Sequence, residues 1–254
     1  MFLSDLKLVN TTPQFIPEHE NRTLLIEQFQ RVVAILGESA QAHRQLVDTN
    51  IAEPNDLDSL FDWICTLQEQ IGQTQLDFTL VELEAGKPPV PTNYYPIGDP
   101  TGHLLHSFAG NDGFAMVVVP QIFRLKPLIF SSVARELGRL GLYQNGGFTE
   151  TMDAEQIETL SELAGIALGM GVWVANGAYI FENACCGGGC GIDLNSLQAG
   201  LSLPEACFAL ALDGRRKDLS PRSIAGQLLS TQKTAFKKNW KAIKNSPPLL
   251  QLTA

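Results

Sequence analysis

Arg135-Glu136-Leu137-Gly138-Arg139 lies inside a run whose apolar residues recur at helical spacing, so it reads as part of a helix. Arg135 and Arg139 are four residues apart and share a face, with Glu136 three residues before Arg139. Two like charges at that spacing repel unless acids stand opposite. A guanidinium stays charged and has no lone pair to give a metal, so these residues point to ion pairing rather than metal ligation. A second group, Cys185-Cys186-Gly187-Gly188-Gly189-Cys190-Gly191, puts three thiols in a glycine-rich turn. Thiolates there could hold a soft metal, or Cys185 and Cys190 could pair as a redox disulfide. The C-x-x-C pairing of zinc sites is missing, however, and Cys207 would have to return as a fourth ligand, so thiols lining a turn are the plainer expectation. No G-K-[ST] follows those glycines and no strand precedes them, which excludes a phosphate loop. His103 and His106 have the H-x-x-H spacing but no neighbouring Cys or carboxylate pair to complete a set. They read as ordinary loop or strand histidines.

The elements that must position these groups follow from periodicity. Between about residues 22 and 47, Leu25, Ile26, Phe29, Val32, Val33 and Leu36 recur at helical spacing. A second helix runs from an N-cap at Asn55 or Asp56, through Leu57, Leu60, Phe61, Ile64 and Leu67, to Ile71 and a closing Gly72. Residues 77–83 and 114–119 read as strands, the latter closed by Pro120, and the proline-rich stretch 86–102 between them reads as a loop. Pro127 opens the helix that carries the arginines. Asp153, with Gln156 three residues on, then caps a long helix expected to reach about Phe181. Its first turns offer Glu155, Glu158 and Glu162, and residues 163–181 carry no charge. That stretch is long enough to cross a bilayer, but glutamates flank it, no Lys or Arg does, and it contains Asn176. A buried core helix is therefore expected, and no membrane. A short apolar helix spans about 205–212. Ser220-Pro221 starts a last helix with Ile224, Leu228, Phe236, Trp240 and Ile243 inward and Lys233, Lys237, Lys238, Lys241 and Lys244 outward.

With these elements in order, the chain resembles the gluzincin arm of the zincin-like metallopeptidases. In that family a strand leads into a helix carrying H-E-x-x-H, two zinc-ligating histidines with a general-base glutamate between them, and a second helix supplies a glutamate as third ligand. Residues 117–119 match the strand, Arg135-Glu136-Leu137-Gly138-Arg139 matches the motif with both histidines replaced, and Glu162, 23 residues beyond Arg139, matches the third ligand. The chain is also similar to a group of uncharacterised bacterial zincin-like proteins. Their A-L-G-x-G-x-x-x-A-N-x-A-[FY] stretch is matched by Ala167-Leu168-Gly169-Met170-Gly171-Val172-Trp173-Val174-Ala175-Asn176-Gly177-Ala178-Tyr179. A later L-S-x-x-E-x-x-x-A-L-A-L stretch is matched loosely by residues 201–205 and 208–212, and the likeness spans about residues 115–245. It implies an α+β, predominantly helical fold: a zincin-like domain with a small sheet at 76–254, preceded by a helical segment at 1–75. It also implies that Arg135 and Arg139 stand in the metal's place between Glu136 and Glu162. The expectation is a bacterial, cytoplasmic pseudo-peptidase without metal or cofactor, acting as a binding or structural protein. Two rivals stand beside it. One is a metal-dependent hydrolase that keeps Glu136 as base and takes its metal from His103, His106 or the cysteines; the other is a thiol or metal-binding protein built on Cys185, Cys186 and Cys190.

Composition narrows the class further. A chain of 254 residues, 44% hydrophobic, suits one large or two small globular domains with a proper core. The net charge of −9 argues against a nucleic-acid partner for the whole molecule. Residues 215–244 hold nine basic residues and one acid, a net of +8, which leaves −17 for the remainder. A basic C-terminal helix beside an acidic body is expected, with recruitment of an acidic partner as the lesser alternative. The N-terminus lacks a basic region and a long apolar run, so no signal peptide is expected. Five cysteines, an odd number in a chain too large to need staples, suggest reduced thiols in a cytoplasm. The sequence leaves a protein partner and the oligomeric state open.

Overall fold

The apolar stripes fold as helices where their spacing puts them. The computed structural model describes residues 14–41, 45–46, 52–84, 93–124, 126–178 and 199–244. Helix α1 (His19–Leu36) buries Leu25, Ile26, Phe29, Val32 and Leu36. After the short α2 (Glu38–Gln41), α3 (Leu57–Ile71) buries Leu60, Ile64, Leu67 and Ile71. Its ends are closed locally: Asp56 and Ser59 form a capping box, and Gly72 takes the left-handed conformation. The chain continues through β1 (Phe78–Glu82), β2 (Tyr95–Pro96), β3 (Leu105–Gly110), β4 (Gly113–Val118), α4 (Lys126–Gln144), α5 (Ala154–Gly165), α6 (Gly171–Gly177), α7 (Leu203–Arg216), α8 (Pro221–Gly226) and α9 (Ser230–Lys244). The protein is mostly helical with one small mixed sheet, an α+β arrangement.

The sheet runs β1-β4-β3-β2, with β1 and β4 parallel and the other two pairs antiparallel. Strands β1 and β4 lie where the sequence puts them. Strand β3 was not expected, and β2 falls inside the stretch read as a loop. Because β2 is two residues long, it pairs with β3 only at Phe108 and Ala109. The edge of β3 at Leu105 and Ser107 is thus left for other partners, which α4 supplies.

Helix α4 is buried almost without interruption from Leu128 to Leu142, packed between β3 and α5. Gly138 sets the approach of α5. A Cβ there would collide with the Ser161 carbonyl oxygen and sit 2.6 Å from the Gly165 amide nitrogen. Gly165 answers from the other side, where a Cβ would lie 2.5 Å from the Ala134 carbonyl oxygen. Two residues without side chains therefore let the helix backbones touch, and side chains on the shared seam are forced into contact.

The long helix expected from Asp153 to about Phe181 is broken. Asp153 and Gln156 do form its capping box, but α5 ends at Gly165 and a π-turn follows at Ile166–Met170. Gly169, at φ 99°, takes a left-handed conformation that a longer side chain resists, and the chain restarts as α6. Carbonyls released by the distortion find donors: Lys217 Nζ reaches Ala167 O at 2.8 Å, and Leu46 N reaches Gly169 O at 2.6 Å. By length and composition the run Ala154–Gly177 could cross a membrane, yet 89% of its most apolar window is buried within this protein. The last helix is divided too. Asn176 bridges the break between α8 and α9, its Nδ2 donating to Gln227 O and its Oδ1 accepting from Leu229 N. Lys237, Lys238 and Lys241 are exposed on α9, while Phe236 and Ile243 are buried. Cys185, Cys186 and Cys190 lie outside the described residues.

Candidate functional site: a buried arginine-carboxylate cluster

Arg135 and Arg139 do not reach solvent. Arg139 and Glu136 are fully buried, and Arg135, Glu158, Glu162, His103 and His106 are buried beside them. Strand β3 supplies His106 and Ser107, the chain entering it supplies His103, and α4 and α5 supply the rest. The open edge of β3 is closed by α4: Arg135 Nη2 donates to Leu105 O at 3.0 Å, and Ser107 N donates to Glu136 Oε2 at 2.9 Å. Arg135 Nε donates to Glu136 Oε1 at 2.9 Å and lies 3.5 Å from Glu158 Oε2. Arg139 Nη2 donates to Glu158 Oε1, and its Nη1 sits 2.5 Å from His106 Nδ1 and 3.5 Å from Glu136 Oε2.

The expected partner Glu162 is displaced in this network by Glu158. Glu162 accepts hydrogen bonds from the backbone N–H groups of Gly200 and Leu201 instead, at 3.1 and 2.8 Å. Glu158 and Glu162 are four residues apart on α5 and share a face, so spacing alone could not choose between them. His103 and His106 do lie on a connection and a strand, as expected, but they are not isolated there: both are buried, and their rings stack with centroids 5.4 Å apart inside the cluster. Sequence reasoning missed Glu158, His103 and His106 as members. The legible signal was the i, i+4 pair of glutamates on a helix otherwise destined for the core.

Charge in the cluster is balanced by neighbours rather than by water. Burial alone would raise the Glu136 carboxyl, but Arg139 and Arg135 reverse that and hold it at about 2. Glu158 is likewise held below its usual range, burial being outweighed by His103, Arg139 and Arg135. Burial pushes His106 down to about 3, and it lowers His103 as well, helped by Arg135. Both imidazoles are thus neutral near pH 7. Two guanidinium ions face two carboxylates, and the core of the cluster carries no net charge.

Glu162 behaves differently. Burial lifts its carboxyl to about 7 despite the pull of Arg135 and the two backbone donors. The folded protein therefore binds more protons than the unfolded chain between about pH 4.5 and 7, and this contribution to stability is lost as pH rises across that window. Comparing Glu162→Gln with wild type isolates the effect, because His106, whose contribution runs the opposite way, is common to both. Relative to wild type, the variant should gain on the order of 3 kcal/mol from pH 4.5 to 7 in urea unfolding. A flat difference would show that the carboxyl titrates normally.

His103, His106 and Glu158 each bring a donor atom to within 4.8 Å of the others, close enough to ask whether they hold a cation. His103 Nε2 lies 3.3 Å from Glu158 Oε2, a contact that helps hold this carboxyl low although its angles are poor for a hydrogen bond. Yet Arg139 already touches both His106 and Glu158, and a guanidinium at ligand distance repels a dication and blocks its approach. The two positions matching zinc-binding histidines offer no lone pair at all. This set fits arginine, not a metal ion. Compared with protein-family models, with curated proteins and with solved structures, the chain matches none.

Proposed function

We propose that the cluster is a metal-free remnant of a zincin-like active site, and that the protein is a bacterial, cytoplasmic pseudo-peptidase with a binding or structural role. One observation carries this reading: the buried Arg139 side chain contacts Glu158 and His106, a fixed cation among groups that could otherwise bind an ion. The order of parts supports it. Strand β4 precedes the helix with the Arg-Glu-x-x-Arg motif, and the following helix carries both glutamates. In this reading residues 76–254 form the zincin-like domain behind a helical segment at 1–75.

A metal-dependent hydrolase using Glu136 as base is the second reading, favoured by the proximity of His103, His106 and Glu158. A general base works best with a pKa near the operating pH. Glu136, held at about 2 and hydrogen-bonded by Arg135 and the Ser107 amide, is a poor one. Metal analysis of the purified chain with a general peptidase assay decides between them. Metal well below one equivalent and no chelator-sensitive cleavage are expected; stoichiometric zinc with such cleavage would replace our proposal by the second.

A further inference from the structure

A groove of about 380 Å³ lies at the surface, where α1 passes the starts of α5 and α7. Asn21, Leu24 and Gln28 of α1 line one wall, Asp153 and Glu155 the other, and Glu205 stands at the start of α7. Leu24 is 53% exposed there. None of the described lining residues is basic, and the three acids make no ion pair among the described residues. The two helix starts supply only about half a positive charge each, so roughly two of the three negative charges stay uncompensated. The last helix carries the converse. Leu229, Lys233, Lys237 and Lys241 follow one another at i, i+4 spacing and form one ridge. Lys233 N donates to Leu229 O, which brings Leu229 into the helical register just ahead of α9. Leu229 is 50% exposed, Lys237 and Lys241 are exposed, and Lys233 is half-buried. These lysines too make no ion pair among the described residues, so the ridge does not meet the groove of its own chain.

We infer that the groove of one copy takes the lysine ridge of a second copy of this chain. Residues 215–244 carry a net +8 against −17 elsewhere, so every copy brings both halves of the pairing. A polyanion would engage the ridge alone, and a basic peptide the groove alone; a second copy engages both. The groove has the volume of a small-ligand pocket, so it admits side chains while α9 lies across its mouth. Lysine stems cover Leu24 and leave their ammonium groups beside the carboxylates, and Leu229 withdraws apolar surface from water together with Leu24. Exposed ion pairs each contribute little, so the association is weak and sensitive to salt. A two-fold pair satisfies both contacts reciprocally, whereas head-to-tail growth repeats one of them; the same residues serve either way. None of them belongs to the buried arginine cluster, so the docking does not depend on the metal-free reading of that cluster.

Sedimentation velocity of the full chain across the micromolar range tests this. Self-association at low salt is expected, weakened at least about tenfold at about 0.5 M NaCl, where exposed charges are screened. Lys237→Glu and Glu155→Lys should each weaken it by about tenfold as well. Both positions are exposed, so the urea midpoint should stay where it is. An equimolar mixture of the two variants should associate more tightly than either alone, because the reversed charges then face each other and the remaining ridge and groove are the natural ones. Should one variant fail to fold, the salt response of the wild type and the other variant still decide. A chain that stays monomeric at low salt overturns the inference, and so does association indifferent to salt or to both substitutions. Pentalysine bound by a monomeric chain, and lost in Glu155→Lys, would give the groove to a different basic partner and overturn it likewise. Monomeric behaviour would leave the pseudo-peptidase reading standing, since metal content decides that separately.

Discussion

Arg139→Met should destabilise the protein by about 3–5 kcal/mol at neutral pH, the usual result of removing one partner from a buried ion cluster. Methionine fills much of the volume but leaves Glu158 Oε1 without its donor and Glu136 with one guanidinium instead of two. Both carboxylates are buried and both owe their low pKa partly to Arg139. Without it their pKa values rise, so the variant can take up protons that the wild type cannot. The stability gap should accordingly narrow as pH falls towards the ordinary carboxylate range. Adding Glu158→Gln to Arg139→Met removes the stranded charge, and the double variant should be more stable than the sum of the single losses predicts. Urea unfolding of all four proteins at two pH values checks this. A loss below about 1 kcal/mol, or strict additivity, would mean that Arg139 is stabilised by something other than these carboxylates.

Legibility in the sequence followed the range of the forces involved. The stripe of α3, its Asp56 cap and its Gly72 end are decided within a turn or two, and they were readable as letters. So was the burial expected of the helix around Val133, Leu137 and Leu140. Strand β3 was hidden because His106 and Ser107 interrupt its apolar pattern, and they are tolerated inside only because α4 contacts them. The break at Gly169 was also concealed: an apolar run with several glycines suits one long helix or two short ones. What decides is distant, since Lys217 and Leu46 satisfy the carbonyls that the π-turn releases. Choosing Glu158 over Glu162 needed residues 200 and 201, whose amides donate to both Glu162 oxygens and leave the direct arginine contacts to Glu158.

Gly138→Ala should cost about 3 kcal/mol, the upper end for overpacking a core, even though alanine improves helix propensity by about 1 kcal/mol. The three atoms nearest the added methyl are all backbone of α5: the Ser161 carbonyl oxygen, the Gly165 amide nitrogen and the Ala164 carbonyl carbon. No rotamer change relieves that contact, so the helices must part. Gly141→Ala, one turn further on, is the control. There the methyl meets the ends of the Gln73 and Leu36 side chains, which can swing aside. Losing the 3.3 Å hydrogen bond from Gln73 Nε2 to Leu137 O costs about 1 kcal/mol, and the helix gain roughly offsets it. The contrast reaches the cluster as well, because the Arg139–Glu158 contact spans the seam that Gly138 keeps narrow. Parting α4 from α5 weakens that contact before any charge is removed. Gly138→Ala combined with Arg139→Met should therefore lose less than the two separate losses added together, while Gly141→Ala with Arg139→Met should simply add. Equal behaviour of the two glycines would place the cluster's rigidity somewhere other than the close contact of these helices.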